Sequence, residues 1–396
     1  MRIAHIVNVI DEVGSYGGPL RVAINQVAAL RGRGQAAVLV AGAVGPSRTR
    51  PESVTGELPV SLHRSVNVGR TSGFATRWAP GVHWWLVRNR RRLDVAQVHL
   101  GRDLTTAPSA ALLRLLRIPY VVQTHGMIDP SSKRLASVLD AVLVRPALRG
   151  ASRVLVLTVK ERDDVRAVMR GADLPFEIVP NGVALHPPVQ DAQTRARGED
   201  LPEVLFLSRL HERKRPVNFV RAAALLRAKG VRARFTVVGP DEGELPAVRE
   251  AIEAAADPEG LISYAGVAPM SGSVARIAQA QVFVLPSVEE PFPMAVVESL
   301  SAGVPVVCSE SCGLARLVAG AGVGHEAGIV VPDDDIPAVA DAVLALVEDD
   351  DRRAACGRRG RELVASTLSI EAVAGRLELA YAAAAGSGSS RTASRS

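Results

Sequence analysis

The chain has 396 residues, of which 47% are hydrophobic, and this length and composition favour two domains with two buried cores. Its net charge of +6 fits an anionic partner such as a nucleotide, a phospholipid or a nucleic acid, without choosing among them. Three cysteines argue against a disulfide framework, and no apolar run approaches the roughly 18 residues of a membrane span. No signal peptide is evident, so we expect a cytoplasmic protein, or a peripheral one at the inner membrane face.

Short apolar segments alternate with longer amphipathic ones through the first half of the chain. A strand, a turn, a helix and a second strand in succession imply parallel pairing. Residues 44–75 are rich in Pro, Ser, Thr, Gly and Arg, and are interpreted as a long loop. The predicted strands are 2–10, 37–41, 95–100, 120–123 and 154–157. The predicted helices are 19–31, 104–117, 131–149 and 159–169.

A glycine-rich turn, residues 14–19, separates the first strand from the first helix. It is not a G-x-G-x-x-G fingerprint, and a plain tight turn explains Gly14. The adjacent Gly17 and Gly18 stand just before a helix N-terminus, where glycine permits the close approach of a ligand. For this pair we favour a functional reason over a structural one.

All three tryptophans fall in residues 77–92, together with five arginines. A helix with aromatic residues and a basic end is able to lie on an anionic membrane surface. The alternative is a helix that packs by its tryptophan side and exposes its arginines. We favour packing for Trp84 and Trp85, and the membrane surface stays an open hypothesis.

His125 follows the strand at 120–123 and opens the segment His-Gly-Met-Ile-Asp-Pro. Ligands of open α/β sheets bind at the carboxyl ends of the strands, which is where His125 is predicted to lie. A lone histidine is more often a satisfied polar residue, so its position alone is weak evidence. Asp129 is weaker still, because Asp-Pro is also an ordinary way to open a turn.

The second half repeats the alternation after an Asn-Gly turn at 181–182 and a polar linker at 186–202. We therefore predict domains at 1–183 and 184–385, and a disordered tail at 386–396. The predicted strands are 204–207, 235–238, 281–285 and 304–308, and the last helix is 370–385. The acidic run 333–335 invites a metal-site interpretation, but acidic residues also complement the dipole of a following helix, which we favour.

Two cations, Arg209 and Lys214, bracket a loop between the strand at 204–207 and the next helix. Such a pair suits a diphosphate, Arg through its planar fork and Lys as a point charge. The alternative is a basic surface loop. The run 213–215 is too short to indicate a nucleic-acid patch without aromatic or motif support.

The most informative stretch is 286–306, a loop and a helix between two predicted buried strands. Glu290 lies in the loop and Glu298 on the helix, which begins near Pro293 and ends at Gly303. The free N–H groups at the helix start make a seat for an anion. Glu298 then stands roughly 7 Å further along the helix, where a carboxylate suits a pair of sugar hydroxyls.

The spacing of Glu290 and Glu298 resembles the E-x7-E signature of the retaining GT-B glycosyltransferases of family 4 (group 1). Residues 208–215 resemble their S-R-L-x3-K-G motif, with Arg215 where glycine is common. Residues 125–130 resemble members that act in exopolysaccharide and lipopolysaccharide assembly. The resemblance implies a GT-B fold, with two Rossmann-like, doubly wound parallel-sheet domains that face an interdomain cleft. The acceptor would bind mainly to the first domain and the donor to the second.

The resemblance also implies an activity. A sugar would move, with retention, from a nucleoside-diphosphate donor, UDP- or GDP-linked, to a hydroxyl of a sugar, glycolipid or natural-product acceptor. No cofactor, metal or nucleic acid is expected. Two alternatives stay open: a non-catalytic protein that binds nucleotide sugars, and an epimerase or phosphorylase on the same architecture.

The resemblance assigns roles to individual residues. His125 and Glu290 would contact the donor sugar, and Arg209 and Lys214 the departing diphosphate. Glu298 would bind the ribose. The remaining donor-site candidates are backbone positions: Gly17, Gly18, Gly239, Val267, Phe292, Pro293 and Met294. This chain departs from the usual E-G-F-G form, because Pro291 and Pro293 replace both glycines and Pro293 has no N–H to donate.

Overall fold

The computed structural model describes residues 1–10, 17–45, 55–68, 74–131, 134–185, 201–268, 272–320 and 324–393. The chain forms two compact units. The first is Met1–Gly182 together with Ile370–Ser396, and the second is Val183–Ser369. Gly14, residues 46–54 and 69–73 of the predicted loop and residues 186–200 of the predicted linker lie outside the described residues.

The first unit is built on a parallel sheet of seven strands in the order β3-β2-β1-β6-β7-β8-β9. Its central strands are buried on both faces, as expected for a parallel sheet covered by helices. The strands are β1 (Arg2–Ile10), β2 (Ala36–Ala43), β3 (Val60–Arg64), β6 (Val95–His99), β7 (Tyr120–Gln123), β8 (Arg153–Val156) and β9 (Phe176–Ile178). A small antiparallel pair joins β4 (Val66–Asn67) to β5 (Arg77–Trp78).

Helices cover both faces of this sheet and bury one core on each side. A π turn (Asp140–Val144) interrupts the long basic helix that the sequence predicts at 131–149. The helices are α1 (Gly17–Gly32), α2 (Pro80–Asn89), α3 (Thr106–Leu115), α4 (Arg134–Leu139), α5 (Arg145–Gly150) and α6 (Val159–Val168).

The C-terminal helix (Ile370–Ala393) packs in the first unit, whereas the sequence assigns residues 370–385 to the second domain and ends the helix at 385. Val373, Leu377 and Tyr381 are buried in the same core as α1. Arg33 forms an ion pair of 2.7 Å with Glu378. The apolar positions of this helix predict that one of its faces is buried, but they do not indicate which of the two sheets it packs against.

The second unit carries a parallel sheet of six strands in the order β12-β11-β10-β13-β14-β15. The strands are β10 (Glu203–Leu207), β11 (Arg234–Val238), β12 (Ile262–Tyr264), β13 (Val282–Leu285), β14 (Val306–Ser309) and β15 (Gly328–Val331). The helices are α7 (Pro216–Ala228), α8 (Leu245–Ala254), α9 (Ser273–Ile277), α10 (Met294–Ala302), α11 (Ala315–Ala319), α12 (Ile336–Glu348) and α13 (Asp350–Leu363). A π turn (Val364–Leu368) closes the unit.

The predicted class, two Rossmann-like parallel-sheet α/β domains, is confirmed by these topologies. In each unit the strand order reverses beside the first strand, between β1 and β6 and between β10 and β13. Ligands of such sheets bind outside the carboxyl ends of the strands at this reversal. The interpretation of residues 44–75 as an irregular loop is wrong for one segment, because Val60–Arg64 forms a strand. Only alternate positions of this segment are apolar, so it has no continuous apolar run.

Candidate functional site

The loops after β10 and β13 meet at the strand reversal of the second unit. Lys214 ends a 3-10 turn in the first loop, and its Nζ forms an ion pair with Oε1 of Glu290 in the second. Their side chains are 13% and 18% exposed. The other carboxylate oxygen of Glu290, Oε2, is buried and has no hydrogen-bond partner among the described residues. Two predicted site residues are thus brought together, with one acceptor left open.

A set of polar contacts holds the Glu290 loop in place. Glu289 has a left-handed backbone, with a φ of +51°, and its N–H donates to Oγ of Ser311 at 2.8 Å. The Ser311 hydroxyl in turn donates to Asp333 at 2.9 Å. Arg213 donates to the carbonyl of Glu289. Because these partners follow three other strands, the carboxylate is held by the sheet edge rather than by a free loop.

Arg209 lies at the same edge of the sheet but has a different partner. Its side chain is 57% exposed, and its Nη1 donates to both carboxylate oxygens of Glu242, at 2.7 and 2.8 Å. An exposed ion pair contributes at most about 1 kcal/mol. Exchange of Glu242 for a phosphate would therefore cost little, and the structure does not pair Arg209 with Glu290.

Arg215 replaces the glycine that is common after the lysine in the resembled motif. Its φ is +55°, a left-handed conformation that glycine adopts more easily. Two bonds to Asp334, of 2.6 and 3.0 Å, hold it there. Asp335 caps α12 by accepting from the N–H of Ala338. Each acidic residue of 333–335 thus has a structural partner, and the described residues contain no cluster of metal-ligating side chains.

Helix α10 begins at Met294, so Pro293 is its N-cap and not its first residue. The start agrees with the predicted one, near Pro293, to within one position. Phe292 and Pro293 are buried, and the helix ends at Gly303 with a φ of +78°, as predicted. Glu298 is 4% exposed inside the helix. The first N–H groups of α10 have no acceptor within the helix, so they are available just beyond the Glu290 loop.

Gly239 and Val267, the predicted backbone contacts after β11 and β12, differ in how closely the chain packs around them. Gly239 has a φ of +152°, and a Cβ there would lie 1.7 Å from the carbonyl oxygen of Ser208. Residue 239 must therefore be glycine because two loops approach each other closely there, whether or not a ligand binds. Its N–H donates to the carbonyl of Gly266 at 2.9 Å. Val267, next in the chain, is 64% exposed at the same edge.

In the first unit, α1 begins at Gly17, after the carboxyl end of β1. A Cβ on Gly18 would meet nothing within 4 Å in the described residues, and its φ is not left-handed. Neither packing nor backbone conformation in the described part of the chain requires this glycine. That is the pattern expected where glycine leaves room for something else.

His125 lies at the carboxyl end of β7 with a φ of +52°. Its Nε2 is 2.7 Å from Nδ1 of His99, and the two rings stack at a centroid distance of 5.0 Å. Its Nδ1 is buried and has no hydrogen-bond partner among the described residues. Burial lowers the pKa of His125 to about 3, so the ring is neutral at pH 7.

A buried carboxylate, that of Glu161, supports the turn around His125. Glu161 accepts from Oγ1 of Thr124 and from the N–H of Gly126, both at 2.5 Å. Burial raises the pKa of Glu161. Further along, Asp129 forms an ion pair of 2.9 Å with Arg102. The weak site prediction for Asp129 therefore has a structural explanation, since Arg102 anchors its loop.

Helix α2 separates the tryptophans into two environments. Val82 and Leu86 are buried, and Trp85 packs against the same core. Trp84 is 61% exposed, with the guanidinium of Arg88 5.3 Å from its ring centroid. The packing interpretation is confirmed for Trp85 and wrong for Trp84. Among the described residues, no helix has the length and apolar character to cross a membrane.

The sequence missed the residues that hold the site in place. Ser311 and Asp333 support the Glu290 loop, Glu161 supports the turn at His125, and His99 contacts His125 itself. None of them belongs to a motif. The available signal was their position, at or just after the ends of strands or at the start of the next helix. Sheet topology alone brings these positions together.

Comparison with known proteins adds two family models. Residues 17–182 match "Glycosyl transferase 4-like domain", and residues 190–363 match "Glycosyl transferases group 1". Alpha-D-kanosaminyltransferase of Streptomyces kanamyceticus is 28% identical over 78% of this chain and 83% of its own length. Phosphatidyl-myo-inositol mannosyltransferase of Mycobacterium leprae is 27% identical over 91% of both chains. The crystal structure of HepE from Anabaena, in complex with UDP, has the same fold, with a TM-score of 0.74 and 18% identity over 96% of this chain and 99% of its own.

Proposed function

We propose a function from the premise that this chain belongs to the family 4, or group 1, glycosyltransferases of the GT-B fold. The chain moves a hexosyl group from a nucleoside-diphosphate sugar to an acceptor hydroxyl, with retention of the anomeric configuration. The half-buried pair of Lys214 and Glu290 carries this proposal, because Oε2 of Glu290 is buried without a partner among the described residues. A cation and an open carboxylate oxygen, just before a helix N-terminus, suit the phosphates and hydroxyls of one nucleotide sugar.

The chemistry requires stabilisation of the departing diphosphate. Lys214, Arg209 and the first N–H groups of α10 supply fixed positive charge for it. Pro293 donates nothing, so these N–H groups begin at Met294. Binding of the diphosphate replaces Glu242 as the partner of Arg209.

The donor sugar is oriented by acceptors. Oε2 of Glu290 accepts a hydrogen bond from a hydroxyl of the donor sugar, which His125 is also proposed to contact. Glu298 binds the two hydroxyls of the ribose. Gly17, Gly18, Gly239, Phe292 and Val267 contribute backbone around the donor.

Retention is proposed to follow a front-face course. The bond from the anomeric carbon to the diphosphate oxygen breaks, and a bond from that carbon to the acceptor oxygen forms on the same face. The acceptor proton passes to the departing diphosphate, so no protein nucleophile is needed. The acceptor is a sugar, a glycolipid or a natural product, in keeping with the kanosaminyltransferase and phosphatidyl-inositol mannosyltransferase relatives.

A thermal-shift screen against UDP, GDP, ADP and TDP, each also as its common sugar conjugates, tests donor binding. A ligand that binds only the folded state raises the melting temperature. UDP comes first, because HepE was solved with UDP and with UDP-glucose. Arg209→Ala and Glu298→Ala should abolish the shift. Arg232→Ala is the matched control, since Arg232 is also exposed and ion-paired but precedes β11 at the opposite edge of the sheet. No shift with any nucleotide would contradict the proposal.

The stereochemistry has its own test. With UDP-glucose and water as the acceptor, NMR spectra recorded before mutarotation identify the glucose anomer first released. Retention predicts the α anomer from this α-linked donor, and the β anomer would contradict it. Binding of a nucleotide sugar without any transfer or hydrolysis would favour the non-catalytic alternative.

A further inference from the structure

A line of hydrogen-bonded side chains crosses the interior of the first unit and ends at His125. Nε2 of His5 lies 3.2 Å from the Tyr381 hydroxyl, on the C-terminal helix. Nδ1 of His5 lies 3.1 Å from Nε2 of His99, and Nδ1 of His99 lies 2.7 Å from Nε2 of His125. His5, His99 and Tyr381 are 0–1% exposed. Only the last histidine belongs to a sequence motif, so the other members have no role in the function proposed so far.

The three imidazoles are neutral at pH 7. Burial lowers the pKa of His5 and of His125 to about 3, and it lowers the pKa of His99 well below its usual value, aided by the two neighbouring histidines. A neutral imidazole has one N–H donor and one bare nitrogen acceptor. Each link between two rings therefore contains one proton. All the donors must point along the line in the same direction, either toward Tyr381 or away from it.

The hydrogen bonds of Gln97 determine in which direction the protons are donated at the Tyr381 end of the line. Its Oε1 accepts the only proton of the Tyr381 hydroxyl. Its amide nitrogen has two hydrogens and three neighbours: Oε1 of Gln26 and Oε1 of Gln123, each at 2.8 Å, and Nε2 of His99 at 3.3 Å. The two shorter contacts take both hydrogens, so Gln97 donates none to His99. The Tyr381 oxygen is then left as an acceptor, and the N–H that reaches it must come from Nε2 of His5.

The remaining protons follow from this assignment. His5 carries its proton on Nε2, so its Nδ1 is bare and accepts from Nε2–H of His99. His99 is then bare at Nδ1 and accepts from Nε2–H of His125. The proton of His125 is thereby placed on Nε2, which leaves a lone pair on Nδ1. This is the same Nδ1 that is buried without a partner among the described residues.

We propose that Tyr381, His5 and His99 are positioning residues that fix His125 as the Nε2–H tautomer, so that its Nδ1 accepts a hydrogen bond from a substrate hydroxyl. This rests on the proposed function, because the hydroxyl belongs to the sugar that is transferred. His125 then acts as a hydrogen-bond acceptor and does not remove a proton. A sugar with a hydrogen or a fluorine at that position has no proton to donate and is bound less well.

The tautomers are measurable in the free protein. Histidine labelled with ¹⁵N in the ring gives long-range proton–nitrogen NMR correlations that distinguish protonated from bare nitrogens. His5, His99 and His125 should all be protonated on Nε2 and bare on Nδ1. A proton on Nδ1 of His125, or a doubly protonated ring, at pH 7 would overturn the inference whatever the enzyme transfers.

A remote substitution tests whether the line sets the tautomer. Tyr381→Phe removes the acceptor for His5, so the three histidines should shift together toward the form protonated on Nδ1. Tyr120→Phe is the matched control, because the Tyr120 hydroxyl is also buried in the first unit but donates to the carbonyl of Ala147. Signals that stay unchanged in Tyr381→Phe would overturn the positioning role.

Titration with ligand connects the line to the substrate. The probe is UDP-glucose, or whichever nucleotide sugar raises the melting temperature, compared with the nucleotide alone. The Nδ1 signal of His125 should move with the nucleotide sugar and not with the nucleotide. Binding of the sugar conjugate with no change at Nδ1 would overturn this inference alone. Failure of every nucleotide to bind would instead refute the proposed function on which it rests.

Discussion

Lys214 and Glu290 each make the burial of the other tolerable. A charge taken out of water is costly unless an opposite charge faces it, and both side chains are less than one-fifth exposed. The pair therefore has a structural part as well as the proposed role in donor binding. The two parts are separable by substitution, because stability depends on the balance of charge and binding depends on the cation itself.

Lys214→Met should destabilise the second unit by roughly 2 kcal/mol, because it leaves the Glu290 carboxylate half-buried and unpaired. The double variant Lys214→Met/Glu290→Gln removes both charges and should recover most of that loss. Neither variant should respond to a nucleotide sugar in a thermal-shift assay. Chemical unfolding gives the stabilities. A double variant as unstable as the single one would show that charge balance is not the cause.

Two of the predicted glycines should separate a structural role from a functional one. Gly239→Ala should cost at least about 2 kcal/mol of stability, because its φ of +152° is strained for any side chain and its Cβ meets the Ser208 carbonyl. Gly18→Ala should leave stability within about 0.5 kcal/mol, since its Cβ meets nothing in the described residues.

Gly18→Ala also tests the proposed role of this glycine in ligand binding. Gly18→Ala should weaken nucleotide-sugar binding if the glycine makes room for the ligand, and calorimetric titration would measure this. Unchanged binding in Gly18→Ala would leave the pair Gly17–Gly18 as an ordinary helix start.

At the scale of single elements, helix α2 presents two different faces. Val82 and Leu86 attach it to the core, while Trp84 and Val87 are exposed beside an arginine-rich end. An exposed tryptophan next to several cations is typical of a helix that contacts an anionic lipid surface. Contact of residues 77–92 with a membrane stays a hypothesis.

Vesicle binding tests this hypothesis. Each arginine near an anionic surface contributes about 1 kcal/mol, so loss of four should reduce binding to phosphatidylserine vesicles by at least tenfold. The four positions changed to Gln are Arg88, Arg90, Arg91 and Arg92. The control variant loses the same charge elsewhere, from Arg232, Arg352, Arg358 and Arg359 of the second unit. Equal cosedimentation of both variants, or equal binding to neutral vesicles, would contradict a specific contact.

At the scale of the whole molecule, the alternation of apolar segments predicted most strands to within one or two residues. The motif residues Lys214 and Glu290 were predicted because their spacing in the chain carries information. The residues that support them were not. His5 and His99 occupy strand positions where most residues are apolar, and only the strand order brings them into line with His125. The C-terminal helix was assigned to the wrong unit for a similar reason, because chain order says nothing about a return to the first sheet.

The buried histidines predict how the stability of the first unit depends on pH. The pKa of His5 and of His125 falls from 6.5 in the unfolded chain to about 3 in the folded protein. Below pH 6.5 the unfolded chain therefore binds protons that the folded chain does not. Each such proton removes about 1.4 kcal/mol of stability per pH unit as the pH falls from about 6.5 toward 3. His99 acts in the same direction.

Two buried carboxyl groups oppose this trend. Burial raises the pKa of Asp103 to about 6 and raises that of Glu161, so the folded protein takes up protons there first. Their contribution grows as the pH falls below about 6. Burial also raises the pKa of Glu177 and lowers the pKa of His63 and of His83. Five histidines outweigh three carboxyl groups, and between pH 6.5 and 6 the histidines act almost alone. The net prediction is a loss of stability on acidification from pH 7.5 to 5.

Urea unfolding followed by tryptophan fluorescence measures this dependence, because all three tryptophans lie in the first unit. His5→Gln removes one titrating group and keeps an N–H able to reach Tyr381, so it should reduce the slope of stability against pH by about 1.4 kcal/mol per unit. His325→Gln, at an exposed position of the second unit, is the control and should leave the slope unchanged. A slope that His5→Gln leaves unchanged would mean that His5 gains its proton in the folded state. The single fixed tautomer of His125 would then be lost as well, because a doubly protonated ring can no longer transmit the direction set at Tyr381.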